Sequence, residues 1–212
     1  MQNRTYGDLF KLIQSLCGIG SFAGSEQDDI ANLINRRFFE AYQTTNNWAR
    51  YLVVGEERAI ANQIVPYTEA SKDDIGEFIS IHRKRPLYNQ STLQYTFFIT
   101  GAGAQIINGS TTDSGTVFVT YKKPFSPFTT SSGYTASTES VPAEFFQYIA
   151  HTAYADFLRM DGQTDKALVE EQNGEDLLFS ELERAGMIAN NNLVGSTIST
   201  HLNRQTRQYE IT

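Results

Sequence analysis

Three histidines, one cysteine and a band of carboxylates are the residues of this chain that could carry proton transfer or covalent chemistry. Histidine is the usual general base near neutral pH, so His151 gathered with Asp156 or Asp161 is the arrangement to test first. His151 and Asp156 stand five apart, on different faces of a single helix, and neither His-x-x-x-His nor Glu-x-x-His occurs. His82 and His201 lie far off in unrelated sequence textures. The spacing therefore offers no nucleophile, base and orienting group together, and the chain reads as non-enzymatic. Cys17, beside Gly18 and Gly20, reads as a small buried apolar residue at a helix end. Gly101-Ala102-Gly103-Ala104 lacks the Lys-Ser or Lys-Thr of a phosphate loop and precedes no helix start, so it reads as a turn. No cofactor or metal is expected, and a single cysteine excludes an internal disulfide and a cysteine-rich zinc site.

The remaining polar clusters suit contact better than catalysis. His82-Arg83-Lys84-Arg85 is the sharpest basic run. Arg83, Lys84 and Arg85 either touch an acidic partner or passing DNA, or end a strand in water. Arg36-Arg37 is placed to ion-pair with an adjacent copy, although surface pairs contribute only about 0 to 1 kcal/mol each. Glu170, Glu171, Glu175 and Asp176 either face water or border a channel, where repulsion keeps DNA phosphates from sticking. A net charge of −7 and a pI near 5.0 argue against a sequence-reading nucleic-acid binder, which needs basic faces.

These residues need elements to position them. At 212 residues, 40% hydrophobic and 19% charged, the chain can bury a core without staples. No secretory leader or long apolar run is present, so it reads as soluble, with no membrane partner. Thr5-Tyr6-Gly7-Asp8 has capping-box spacing ahead of Leu9, Leu12, Ile13 and Leu16, and predicts a first helix ending near Gly18. Ser25-Glu26 opens a second, with Ile30, Leu33, Ile34, Phe38, Ala41 and Tyr42 as its apolar stripe. From 48 to 138 the texture turns β-branched and aromatic, with strand candidates at 50–60, 77–82, 94–100, 104–107 and 116–122. Alternation sends Phe78, Ser80 and His82 to one face and Ile79 and Ile81 to the other. Residues 126–140, rich in Ser and Thr, read as a mobile loop.

Helical periodicity returns after Pro142 and Glu144. Phe145, Ile149, Ala153 and Phe157 with Phe146, Ala150, Tyr154 and Leu158 give a broad apolar face, the mark of a central helix. Gly162 ends it. A fourth helix over 164–185 carries Ala167, Leu168, Leu178 and Leu182 on one side and acids on the other. After Gly186 the chain loses periodicity. The expected fold is α+β, a bundle of about four helices with a β-rich insertion between the second and third helices and an extended C-terminal arm. The body is 1–185, with helical parts 5–47 and 140–185 and insertion 48–138; the arm is 186–212. In the arm, Leu193, Val194, Ile198, Leu202, Tyr209 and Ile211 are spaced apolar anchors, with Arg204 and Arg207 for acidic groups, as in a segment that folds on binding.

Several phrases carry a likeness: Asn35-Arg36-Arg37-Phe38-Phe39 with a following Trp48, then Val141-Pro142-Ala143-Glu144-Phe145-Phe146-Gln147-Tyr148-Ile149, then Ala155-Asp156-Phe157-Leu158-Arg159-Met160-Asp161-Gly162-Gln163. In this order, over roughly residues 5 to 185, the chain resembles the bacteriophage head-to-tail connector adaptors, which include the tail tubular A-like proteins of short-tailed phages. The resemblance implies a homo-oligomeric ring, commonly of twelve copies, docked under the portal protein and made in the host cytoplasm before joining the virion. Such a ring extends the channel for double-stranded DNA and offers a platform to the next neck or tail protein, a nozzle or stopper. It also implies that the C-terminal arm reaches the portal. The alternatives are another neck component such as a stopper or terminator, a ligand-binding module using the aromatic β segment, or a small hydrolase.

Overall fold

The computed structural model describes residues 4–86, 93–107, 114–129 and 133–208, the stretch from 187 onward by its backbone alone. The chain divides into two compact units, Met1–Thr45 with Ser126–Arg184, and Asn46–Phe125 with Ala185–Thr212.

The first unit is helical. Thr5 caps α1 (Tyr6–Cys17): its Oγ1 accepts from the Asp8 N–H at 3.1 Å, and its own N–H donates to the Asp8 carboxylate at 3.1 Å. Gly18 ends α1 at φ 70°, the left-handed conformation that glycine adopts without steric cost. α2 (Gly24–Gln43) opens where the Ala23 N–H donates to Glu26 at 2.8 Å. α3 (Ala143–Met160) is the central element, with α1 and α2 packed on it. Phe10, Ile13, Ile30, Ile34, Phe38, Phe145 and Ile149 are buried between them. A short antiparallel pair, β1 (Arg4–Thr5) with β8 (Ser140–Val141), ties the start of α1 to the start of α3.

The segment expected to be a mobile loop is anchored to the helical unit at Phe128, Tyr134 and Ser137, while most of its other described residues are exposed. Phe128 stacks on Phe38 at 4.5 Å and tilts against Tyr6 at 5.3 Å. The Asn35 carboxamide clasps Phe128 by both backbone groups, accepting its N–H at 2.8 Å and donating to its carbonyl at 3.3 Å. Ser and Thr composition gave no sign of these anchors, which also include Tyr134 stacked on Phe10 at 5.3 Å. Gly7 accommodates this cover, since a Cβ there would lie 2.7 Å from the Thr135 carbonyl oxygen.

The second unit holds six strands: β2 (Leu52–Ala61), β3 (Ile64–Pro66), β4 (Glu77–His82), β5 (Phe97–Thr100), β6 (Gly103–Ile106) and β7 (Ser114–Lys122). They run antiparallel in the order β4-β7-β2-β3-β6-β5. Asn62 and Gln63, both at positive φ, make the tight hairpin joining β2 to β3, a strand the sequence reading missed. The two ends of the sheet then meet. The Tyr95 N–H donates to the Ile81 carbonyl at 2.8 Å, the Arg83 N–H to the Leu93 carbonyl at 3.0 Å, and His82 bridges Gln94. The result is a nearly closed, barrel-like sheet around Ile60, Val65, Ile75, Ile81, Val117, Val119 and Tyr121.

Three expectations need correction. The architecture is not a helical bundle bearing a β-rich insertion: it is a mixed α/β fold of four helices and a barrel-like sheet with its own buried core. The arm is not extended, because α4 (Thr164–Gln208) runs through Gly186 as one helix of 45 residues. A glycine inside a helix costs only about 1 kcal/mol, which a long helix absorbs. In β4, a bulge between Phe78 and Ser80 resets the alternation, so that Phe78 and Ile81 both point inward and Ile79 does not.

Candidate functional site

The charged residues of the helical unit converge on its interior. Arg37 follows Ile30 by seven residues and Ile34 by three, so it lies on the buried stripe of α2. Its Nε and Nη2 donate to the two Asp156 oxygens at 2.7 and 2.6 Å, a bidentate pair joining α2 to α3. Nη1 reaches Glu40 at 3.0 Å, and Nη2 reaches Glu171 of α4 at 3.0 Å. Arg159 completes the cluster, donating to Asp156 at 3.0 Å and also to Glu171. Side-chain exposures of 9% for Arg37 and 8% for Asp156 make their pair a buried one.

Burial works to lower the Arg37 pKa, but the hydrogen bond and charge of Asp156, with Glu40 behind them, raise it beyond its ordinary value. Glu171 is held below the usual carboxylate range, first by the hydrogen bond from Arg159 and against the opposing effect of burial. Each carboxylate is spent on a guanidinium. The cluster clamps α2, α3 and α4 together, and Arg37 serves this chain internally where an ion pair to a neighbouring copy was expected.

A second buried cation sits in the barrel. Arg58 is fully buried, with Nη2 on the Asp73 carbonyl at 2.5 Å, the Tyr121 hydroxyl at 2.8 Å and Glu56 at 2.6 Å. It pins the connection between β3 and β4 over the Tyr121 ring. Burial and the hydrogen bond to Glu56 push the Tyr121 phenol up to about 12.

The residues singled out for chemistry stay apart. His151 Nδ1 lies 2.7 Å from Glu170, so Glu170 is engaged on α3 rather than turned outward. Glu171 belongs to the clamp. Of the four acids read as channel-facing, Glu175 and Asp176 are the exposed pair, and Gln172 donates to Asp176 at 3.3 Å. Burial first, and the charge of Glu26 second, push the Cys17 thiol up to about 11, so it is protonated at neutral pH and a poor nucleophile. Arg83, Lys84 and Arg85 are exposed where β4 leaves the barrel. Leu193, Val194, Ile198, Leu202, Arg204 and Arg207 fall on α4, where only the backbone is described, and Tyr209 and Ile211 lie outside the described residues. Among the described residues, no group of three His, Cys, Asp or Glu side chains is placed to hold a metal ion. Nor is any helix among them long and apolar enough to cross a membrane.

What the sequence reading missed is the outer surface of α4. Leu168, assigned to the packed side, is 65% exposed, and Val169 and Phe179 are 59% and 61% exposed. Ala167 and Gly174 carry the contact with α3, and Leu178 is buried on the same helix. The signal was present: Ala167-Leu168-Val169 and Leu177-Leu178-Phe179 are consecutive apolar triplets. Successive helical residues turn by about 100°, so no single face can hold three of them. α4 is thus apolar on flanks that its own unit leaves uncovered.

No protein-family model matches the chain, and no curated protein is similar to it at a significant level.

Proposed function

We propose that this protein is a structural adaptor of a bacteriophage head-to-tail connector. Its copies form a ring under the portal protein, extend the DNA channel and present a platform to the next neck or tail component in the virion. The observation that carries the reading is α4. It is clamped at one end by Glu171 and Ala167 to α2 and α3, continues as helix to Gln208, and leaves Leu168, Val169 and Phe179 uncovered. A fixed helix with apolar flanks is built to receive other subunits, by the same burial that holds a core together. The sequence likeness to connector adaptors supports the same role, with the C-terminal part of α4 as the element that meets the portal. Exposed Glu175 and Asp176, on a chain of net charge −7, suit a surface that passes DNA without holding it.

The test is electron microscopy of the protein mixed with purified portal, scored for stacked rings, beside a chain ending before residue 190. Full-length protein should stack on the portal. The shortened chain should keep its circular dichroism spectrum and lose attachment; attachment at full strength by the shortened chain would overturn the role given to the helix end.

A further inference from the structure

The charge of this chain is unevenly divided. Met1–Thr45 with Ser126–Arg184 carries 7 Lys and Arg against 16 Asp and Glu, a net of −9, while residues 46–125 carry 8 against 7, a net of +1. Three of those eight cations stand together at Arg83, Lys84 and Arg85. All three are exposed, and none makes an ion pair among the described residues. The backbone beneath them is held. The Arg83 N–H donates to the Leu93 carbonyl at 3.0 Å. Pro86 seats on Gly55, which stands at φ 61° in the bulge of β2, and a Cβ there would lie 2.8 Å from Pro86 Cδ. The result is a fixed basic tip, with Leu93 beside it 58% exposed.

The outer face of α4 has the opposite sign. Asp165, Gln172, Asp176 and Glu183 are spaced by seven, four and seven residues, which at about 3.6 residues per turn is one line about 27 Å long. All four are exposed. The line lies half a turn round the helix from Ala167 and Gly174, which meet α3, so it faces away from its own unit. Exposed Leu168, Val169 and Phe179 flank it on both sides. Lys166 and Arg184 lie off the line, on Gln163 and Glu181. The Glu171 clamp and the close fit of Gly174 on Thr152 hold this face in place.

An acidic line set between apolar side chains fits a basic protein surface that has an apolar side chain of its own. The same chain supplies one, at residues 83–85 with Leu93. We propose that the outer face of α4 in one copy receives the Arg83-Lys84-Arg85 tip of another, with the cations on Asp165, Asp176 and Glu183 and Leu93 among Leu168, Val169 and Phe179. The proposal rests on the adaptor reading only in that copies must touch, and it names the contact. The two patches are unlike, so the contact is heterologous and passes from copy to copy, as a ring requires. Duplex DNA is a poorer occupant of the tip: its binders make roughly 6 to 10 phosphate contacts, against three cations on a chain of net charge −7. Asp176 then lies within the contact, and Glu175, about 100° round the helix, lies beside it.

Sedimentation velocity of the full-length protein, without portal, tests it. Wild type should associate as concentration rises, and less so at high salt. Reversing the tip with Arg83→Glu, Lys84→Glu and Arg85→Glu should weaken association by roughly tenfold or more, because it sets like charges against each other. Reversing the line with Asp176→Lys and Glu183→Lys should do the same. All five sites are exposed, so both variants should keep the wild-type melting curve. The decisive sample is their mixture. An acidic tip there meets a basic line and a basic tip an acidic line, so the two variants together should associate where neither does alone. A wild type that stays monomeric at low salt overturns the proposal, as does either reversed variant associating like wild type. So does a mixture of the two folded variants that stays monomeric. A tip variant that keeps self-association and loses binding to duplex DNA also overturns it, and assigns the tip to DNA. Stacking on portal, scored separately in micrographs, tests the adaptor reading: self-contact that obeys the mixing rule without portal attachment supports this contact and removes that role.

Discussion

Gly174 of α4 lies directly against the Thr152 methyl of α3: a Cβ on the glycine would stand 2.7 Å from Thr152 Cγ2. Thr152 cannot swing aside easily, because it is fully buried and its hydroxyl donates to the Tyr148 carbonyl at 2.7 Å. Gly→Ala inside a helix ordinarily stabilises by about 1 kcal/mol. Here Gly174→Ala should instead destabilise by about 1 to 3 kcal/mol, the usual cost of overpacking. Thr152→Ser, which drops the methyl and keeps the hydroxyl, should restore stability in the double variant. Urea denaturation followed by circular dichroism reads both.

How far the sequence foretold this structure depends on whether a signal is local. The start of α1 was legible because Thr5 and Asp8 satisfy each other within one turn, and its end because Gly18 needs a positive φ. The main strands were legible as β-branched runs. The bulge in β4 was not, since it is a property of how β4 meets β7 and leaves Phe78 and Ile81 on one face. Arg37 sat on the apolar stripe of α2 in plain view, but its partner Asp156 is 119 residues away, and one sequence does not pair them. The apolar triplets of α4 were legible and were misread as one face. The continuation of α4 past Gly186 depends on helix already formed upstream, which composition alone does not weigh.

The buried clamp gives a second prediction. Arg37→Met should cost about 3 to 5 kcal/mol, because it leaves the Asp156 carboxylate inside with its bidentate partner gone. Arg37→Met with Asp156→Leu should recover most of that loss, since a well-packed apolar pair replaces a buried ion pair at little net cost. Glu40 and Glu171 keep Arg36 and Arg159 as partners in the double variant. A double-mutant cycle by chemical denaturation should return a coupling well above the experimental error.

His82 gives a pH dependence with a defined sign. Burial lowers its pKa from the ordinary 6.5, so the unfolded chain binds this proton more tightly than the folded one. Stability from a neutral His82 is present above pH 6.5 and is lost as pH falls through the depressed folded value. Its backbone pairs with Gln94 where the barrel closes and its ring lies 3.1 Å from the Ser80 hydroxyl, so protonation places a charge in the half-buried site beside that closure. Thermal melts from pH 8 to 5 should show wild type losing stability on the acid side more steeply than His82→Gln, with the two curves parallel above about pH 7.

Gly103 makes the sharpest single-site prediction in the barrel. It sits at φ 145°, a conformation L side chains rarely adopt, where the β5–β6 turn delivers the chain against β3. A Cβ there would come 2.0 Å from the Val65 carbonyl oxygen and 2.9 Å from Pro66 Cα, both backbone atoms that cannot rotate away. Strain at such a φ costs about 1 to 3 kcal/mol before any clash is counted. Gly103→Ala must also push β6 off β3, and with it Ala104 and Ile106 out of the barrel core. Gly101, two residues earlier in the same turn, has open space around its Cβ position and a φ that is not in the restricted region. Gly101→Ala is therefore the matched control: it should melt within a few degrees of wild type, while Gly103→Ala should lose the dispersed amide signals of β3, β5 and β6 in a nitrogen–proton correlation spectrum.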